Sequence, residues 1–492
     1  TFPALDMQWR GKLSDVQDVL SIVSNYKTEN KQGTSKLGYH PGPVWILPDG
    51  QAFDADGRVE NPDIVYLPLG GRGELDDKLQ INELDDDRFQ SLFQDCFQAL
   101  FQLNIAEVVV PMLGWFMATP FKALFSLKQE SFPLLSVVGT RGAGKSTILR
   151  LMWRLMGFRI GDEGKLFSCT DTEFVQMKLL SSTSTIPIIF DEYKPYDMQA
   201  QRVKGLHRML RRAYDGERAF RGRSDQSTVE YSLTAPVAVA GEQSLQEGAL
   251  LERVITVQMS PNDLNTEMKA AYQQLQRLDL SAFMGRYISF CLSVDFDSQL
   301  QVAEDAVAQF IETPIPDRVR KNLVAMTFGF SQLVQFALQQ QVEVTNQWFE
   351  DLLGVAIETI TQAVVGEDGV TKVALDHLIR HLATMAELGK LESGVHYKVR
   401  AVEGDLALRL DPCLAEYRRY HRETQLEGEL LNYKAYRQQI NENYQRGGYV
   451  IHTSMNVDMN DISVKRQQKR CVVISFERAG ELEIDLDGFR SY

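Results

Sequence analysis

The sequence predicts an α/β fold: a buried parallel sheet with helices, a β-rich region before it, and helical and mixed regions after it. Three observations predict this. The glycine-rich stretch Val137-Val-Gly-Thr-Arg-Gly-Ala-Gly-Lys-Ser-Thr-Ile148 joins the apolar run Phe132-Pro-Leu-Leu-Ser-Val-Val138 to a segment of helical periodicity, residues 147–157. About forty residues further on, Ile186-Pro-Ile-Ile-Phe-Asp-Glu192 is a second apolar run ending in two carboxylates. Two more short apolar runs, Ala235-Pro-Val-Ala-Val-Ala240 and Leu250-Leu-Glu-Arg-Val-Ile-Thr-Val257, read as further core strands.

Gly139, Gly144, Lys145 and Ser146 fit G-x-x-x-x-G-K-[ST], the phosphate-binding loop of nucleoside triphosphatases. The chemistry needs strand, loop and helix in that order. Backbone N–H groups at a helix N-terminus wrap phosphates, and glycines let the backbone approach them. The nucleotide-binding candidates are Gly139, Thr140, Arg141, Gly142, Ala143, Gly144, Lys145, Ser146 and Thr147, with ATP and Mg²⁺ as the expected cofactors. Lys145 reaches the β- and γ-phosphates in this reading, and Ser146 holds the Mg²⁺. Asp191 is the second metal candidate, through water, and Glu192 the group that orients and polarises the attacking water.

The 492 residues, 44% hydrophobic and 24% charged, suffice for three or four domains with sizeable cores. The expected segments are 1–83, β-rich with an acidic linker; 84–130, a helical hairpin; 131–260, the nucleotide-binding core; 261–395, a helical lid and extension; and 396–492, a winged-helix-like domain. The chain starts at Thr1, which suggests an excised portion of a longer protein with another activity upstream. No signal peptide is visible. The longest apolar candidate for a membrane span, Ile105 to Phe125, is interrupted by Glu107, two prolines and Lys122, so no membrane association is expected. Five scattered cysteines with no C-x-x-C pair argue against a zinc ribbon or disulfide scaffold and for a reducing compartment. His377 and His381 lie four apart on an expected helix, but without a nearby third ligand they read as packing residues. The net charge of −14, taken whole, argues against a nonspecific nucleic-acid coat. The charge is uneven: Arg202 to Arg223 holds eight basic residues and two acidic, and Glu74 to Arg88 seven acidic and two basic.

In order along the chain, Val44-Trp-Ile-Leu-Pro-Asp-Gly50 and Pro62-Asp-Ile-Val-Tyr-Leu-Pro68 read as strands with turn signals between them, and 74–88 as a solvated linker. Residues 84–128 read as two helices, the first with an aromatic stripe of Phe89, Phe93, Phe97 and Phe101 that belongs to a core. After the acidic strand comes a basic helix, Met198 to Tyr214, then a β-hairpin from Arg218 to Leu233 with Arg221 and Arg223 near its tip. Helices are expected over 264–278, 280–292, 298–311, 316–340, 345–364 and 372–389. Helices at 411–423 and 432–444 followed by strands at 448–453 and 470–476 suggest a winged helix, with Arg437, Lys465, Arg466, Lys469 and Arg470 as DNA-contact candidates.

The ordered set resembles an AAA+ ATPase of the superfamily 3 and MCM ring-helicase type, and most of all the helicase portion of phage, plasmid and mobile-element primase–helicases. The set comprises the loop Gly139–Ser146, the strand ending Asp191-Glu192, the hairpin, the strand followed by Gly-Glu242, and Leu-Glu-Arg-Val-Ile. The resemblance implies an ATP-dependent DNA helicase acting as a homo-oligomeric ring, a hexamer, on single-stranded or forked DNA in the cytoplasm of a bacterial host or phage-infected cell, with a primase or polymerase upstream or in trans. It implies that Arg253 is an arginine finger acting on the neighbouring subunit's site, and that Glu242 and Gln243 occupy the γ-phosphate sensor slot, where the family commonly has Asn. It further implies that Arg221 and Arg223 grip backbone phosphates in a central channel. Arg318 and Arg320 are candidates for a second sensor. Two other readings remain open: an AAA+ protein remodeller, for which Phe220 beside the hairpin tip speaks, and a DNA-assembled NTP switch or loader without unwinding activity.

Overall fold

A five-stranded parallel sheet carries the architecture. The computed structural model describes residues 11–490 apart from 26–28, 69–72, 74, 129, 160–165, 196–197, 223–227, 246–247, 312–314, 365–373, 425–432, 446, 460–467 and 482–483. The sheet order is Val254–Met259, Leu134–Gly139, Val237–Gly241, Ile188–Tyr193, Phe167–Ser168. All neighbours are parallel, so the four core runs end at one edge of the sheet. Every residue of Leu134–Gly139 and Val237–Gly241 is buried, which is why these strands read as unbroken apolar runs.

The chain forms two compact units. One comprises Thr1–Ser244, Val254–Phe310 and Lys321–Thr359; the other comprises Leu245–Arg253, Ile311–Arg320 and Ile360–Tyr492. In the first, Asp85 caps the helix Asp86–Phe101 by accepting from the Arg88 amide at 2.9 Å. The stripe Phe89, Phe93 and Phe97 packs against Phe283, Trp348 and Phe336. Helix Ala106–Ala118 continues through the 3₁₀ turn Thr119–Phe121 into Lys122–Leu127. The interruptions expected from sequence do not break the helical run, and by length and composition alone the 22-residue run Ala106–Leu127 is long and apolar enough to cross a membrane. It is instead a core element: 89% of its most apolar window is buried, and it packs on Val254–Met259. Pro120 opens the 3₁₀ turn, where a missing N–H costs little, whereas Pro111 lies inside its helix, which continues through it.

Two further differences concern the N-terminal region. Leu13–Ser24 is an α-helix with no buried residue. The stretch 74–88 is not a solvated linker throughout: Leu75, Leu79 and Ile81 are buried, and the Gln80 amide and the Lys78 carbonyl pair with Gly157 and Arg159 after the phosphate-loop helix. Its acidic residues alternate with apolar ones, and it is the apolar ones that pack. Between these stretches, four short strands, Gly38–His40, Val44–Ile46, Ala52–Asp54 and Gly57–Val59, form an antiparallel meander, and Gln32–Thr34 pairs with Ile64–Tyr66. Leu37 exchanges backbone hydrogen bonds with Ser182 and Ser184, which fastens the meander to the segment leading into the acidic strand.

Helices Thr266–Arg277, Ser281–Ser293, Phe296–Phe310 and Asp317–Gln339 follow the sheet. In the second unit, three helices, Ala374–Glu387, Leu410–Thr424 and Tyr433–Gln445, pack on a four-stranded antiparallel sheet ordered Tyr397–Arg400, Asp405–Leu408, Gln468–Ser475, Val450–Asp458. The first two of these strands were not expected from the sequence; Arg400 and Asp405, bonded through two nitrogens at 2.7 and 2.5 Å, close their turn.

Candidate active site at the carboxyl edge of the sheet

The phosphate-loop strand ends at Gly139, where a Cβ would overlap the Met259 carbonyl oxygen of the neighbouring strand. Gly142 and Gly144 adopt φ of 87° and 86°, in the left-handed region that glycine enters at no steric cost. Gly144 then caps helix Lys145–Leu155, whose first N–H groups have no partner within the helix. Thr140, Arg141 and Gly142 are exposed, Ala143 is buried, and Ser146 and Thr147 are half-buried in the first helical turn. The Lys145 ammonium donates to the carbonyls of Gly139 at 2.6 Å and Thr140 at 3.0 Å, so it lies over the loop. Burial holds its pKa below the ordinary lysine value; the carboxylates of Glu242 and Asp191 oppose that shift and the Lys194 charge adds to it. These groups converge on Lys145 from two neighbouring strand ends.

Asp191 is half-buried and Glu192 exposed at the end of Ile188–Tyr193. The pairing with Val237–Gly241 shifts here: Val239 lies opposite Phe190 and Gly241 opposite Tyr193, leaving Ala240 to face both carboxylate residues. This is a β-bulge, and it re-aims a side chain that strict alternation would send to the other face. Glu192 has φ of 63°, a conformation a non-glycine residue adopts at a cost, and its amide donates to Asp191 Oδ1 at 2.8 Å. Cys169 donates its amide to the Asp191 carbonyl, and burial pushes its thiol pKa up, so it supplies no thiolate.

Strand Val237–Gly241 lies between the phosphate-loop and acidic strands, which brings Glu242 and Gln243, just beyond its end, to the space between them. Glu242 pairs with Lys194 at 3.2 Å. Lys194 was not singled out in the sequence. Its one signal was its place two residues after Glu192, and its partner lies 48 residues further along the chain (242 − 194).

Arg253 immediately precedes the edge strand. That strand begins beside Leu134 and reaches Gly139 only at Met259, roughly 17 Å along at the usual rise per residue. The Arg253 guanidinium donates to the Ala249 carbonyl, and its neighbour Glu252 pairs with Arg318 at 3.4 Å, so Arg318 is engaged beside Arg253.

Helix Ala200–Tyr214 connects the acidic strand to the hairpin Arg218–Gly222 and Thr228–Ser232. Tyr193 Oη and His207 Nε2 lie 2.7 Å apart, joining the residue after Glu192 to the middle of this helix. The hairpin's two roots share one donor. Lys122, fully buried, gives hydrogen bonds to the Ala213 carbonyl at 3.2 Å and the Ala235 carbonyl at 2.7 Å. Burial pushes its pKa down to about 7. Arg221 stacks on Phe174 at 3.7 Å, with Tyr231 edge-on to the same ring. Arg223, Lys465 and Arg466 lie outside the described residues. Lys469 and Arg470 are exposed on their strand, whereas Arg437 donates to the Thr453 carbonyl at 2.6 Å and ties a helix to a strand.

No family model matches the sequence, and no curated protein matches it. Among solved structures, the SCCmec type IV Cch active helicase is similar over 96% of this chain and 84% of its own, with a TM-score of 0.58 at 13% identity. The chain shares that protein's fold. The JCV helicase (TM-score 0.25, 55% of this chain and 75% of that one) and the NrS-1 C-terminal region (0.21, 73% and 88%), both 13% identical, superpose too loosely to add to that. In this fold the loop, the acidic pair and Glu242 share the carboxyl edge of a parallel sheet, where open α/β sheets bind their ligands.

Proposed function

We propose that the chain is an ATP-dependent DNA helicase, a ring-forming AAA+ motor that translocates on single-stranded DNA in the replication of a phage, plasmid or mobile element. One observation carries this reading: a glycine loop ending in Lys145 and an acidic pair at a bulge sit at the same sheet edge, with Glu242 between them. Lys145 and the loop amides bind the phosphates. Glu192 orients and polarises water for attack on the γ-phosphate. The Ser146 hydroxyl and Asp191 carboxylate are hard oxygen donors of the kind Mg²⁺ takes. Among the described residues no cluster of three or more His, Cys, Asp or Glu could hold a metal, which suits an ion that takes its remaining ligands from phosphate and water. Bound there, Mg²⁺ neutralises phosphate charge.

Arg253 acts in trans, at the neighbouring subunit's γ-phosphate; a start of its strand away from its own loop supports that role. Glu242 and Gln243 report the γ-phosphate state, and the Lys194 pair holds Glu242 in place. Arg221 and Arg223 meet the strand's phosphates, with the Tyr193–His207 contact linking the acidic strand to the helix that feeds the hairpin. The second unit, three helices and an antiparallel sheet, acts as a winged-helix-like DNA module through Lys465, Arg466, Lys469 and Arg470. The exposed Phe220 favours a second reading, a protein remodeller with aromatic pore loops.

The test is ATP hydrolysis with and without single-stranded DNA, with Lys145→Ala as the blank, beside strand displacement on a forked duplex. Stimulation with displacement is expected. Turnover indifferent to DNA, without displacement, sinks the helicase reading. Arg221→Ala/Arg223→Ala is expected to abolish the stimulation, and mixed rings of Arg253→Ala and Lys145→Ala to recover part of the turnover; no recovery in verified mixed rings removes the trans role.

A further inference from the structure

The two faces of the hairpin differ. On one face Ala219 is buried, and Arg221 and Tyr231 pack on Phe174 of helix Glu173–Ser181. The other face carries Arg218, Phe220 and Gly222, opposite Ser232, Glu230 and Thr228. There Arg218 pairs with Glu230 at 3.2 Å, and Phe220 stands 64% exposed. The next residue on that face, Gly222, has open space where a side chain would be, so nothing from that position covers the ring. Meanwhile Arg221, the arginine expected to reach the strand, spends its guanidinium plane on Phe174.

We propose that Phe220 is a stacking platform for a base of single-stranded DNA. The proposal rests on the helicase reading and assigns the hairpin a contact to bases as well as to phosphates. Three features favour a nucleic-acid strand as the occupant. The stretch from Arg202 to Arg223 carries eight basic residues against two acidic, complementary to a polyanion. The ring stands exposed on a two-stranded ladder beside a glycine whose side-chain position is open, which leaves room for a planar group against it. Every base has a π-face, so a platform of this kind accepts any sequence, as a translocating motor requires.

Equilibrium binding of the full chain to a fluorescent oligothymidylate and to a matched strand of abasic sites tests this. The wild type is expected to bind the base-bearing strand about tenfold more tightly. Phe220→Ala is expected to lose that preference and Phe220→Trp to keep it. Both should leave thermal unfolding and the slope of log affinity against log salt unchanged, because stacking releases no counterions. If Phe220→Ala keeps the base preference, or weakens both strands equally, the platform is wrong while the helicase reading stands. A wild type that binds neither strand removes both. If Phe220→Ala instead abolishes stimulation of turnover by an unfolded protein and leaves DNA binding intact, the ring serves the protein remodeller and the proposal is overturned.

Discussion

The phosphate loop and the hairpin are both glycine-bearing turns between regular elements, and they are held in opposite ways. The loop is fixed by backbone: Gly139 against the Met259 carbonyl, left-handed Gly142 and Gly144, and a bulge next door at Glu192. The hairpin is fixed by side chains: one ammonium at its roots and one aromatic ring under one face. Backbone constraint leaves a geometry little room to move, which suits chemistry that needs atoms placed to a fraction of an ångström. Side-chain constraint can be released and remade, which suits the moving part that the proposed function makes of the hairpin.

The sharpest way to break this comparison is at Glu192. Glu192→Gln is expected to lower ATP turnover at least about a hundredfold with little change in the denaturation midpoint. Glu192→Gly is expected to lose turnover equally while gaining about 1 kcal/mol of stability, since glycine occupies φ of 63° without strain. A glycine variant less stable than wild type would show that the bulge holds no strain.

Lys122→Met probes the hairpin's roots. It leaves the carbonyls of Ala213 and Ala235 without this donor and is expected to cost about 2 kcal/mol in urea unfolding near neutral pH. Its pH dependence has a definite sign. In the folded chain Lys122 releases its proton near pH 7, whereas in the unfolded chain it does so near 10.5. Between those values the unfolded state binds more protons, so the wild type gains stability as pH rises, by up to about 1.4 kcal/mol per pH unit from this group. The contribution is complete above 10.5 and lost as pH falls through 7. The difference between wild type and Lys122→Met should therefore widen in favour of wild type from pH 7 upward; a pH-independent difference contradicts the buried charge.

The smallest effect belongs to the face of the hairpin. Phe174→Leu removes the ring under Arg221 and Tyr231. It is expected to cost about 0.5–1 kcal/mol and to leave DNA-independent turnover as it was. A large loss of basal turnover would mean that the hairpin is coupled to the site more rigidly than its contacts indicate.

What was legible in the sequence was local. The loop, the acidic strand and the hairpin each carry their signal within a short stretch, and the four helices from Thr266 to Gln339 fall close to the segments their periodicity predicts. What was missed depends on partners distant in sequence. Lys122 looked like a charge interrupting an apolar run, yet it lies in the core because two carbonyls more than ninety residues away accept from it. Lys194 gains its interest from Glu242, and Tyr193 from His207 on another element. The stretch 74–88 looked solvated because charge outnumbers Leu75, Leu79 and Ile81, and burial is decided by the residues that face inward. Helix Leu13–Ser24 does carry apolar residues at helical spacing, Leu13, Val16, Leu20 and Val23, and this local signal was overlooked in a region read as β-rich.

One ammonium bridging Ala213 and Ala235 has a consequence for how the molecule could change over time. The segment between those carbonyls leaves and re-enters the core at one shared donor, so a change confined to its exposed end leaves that donor's two partners in place. A different hairpin grafted between the same two anchors would meet the same donor at its roots. The hairpin is in that sense an exchangeable tool, and Lys122 is the fitting that receives it.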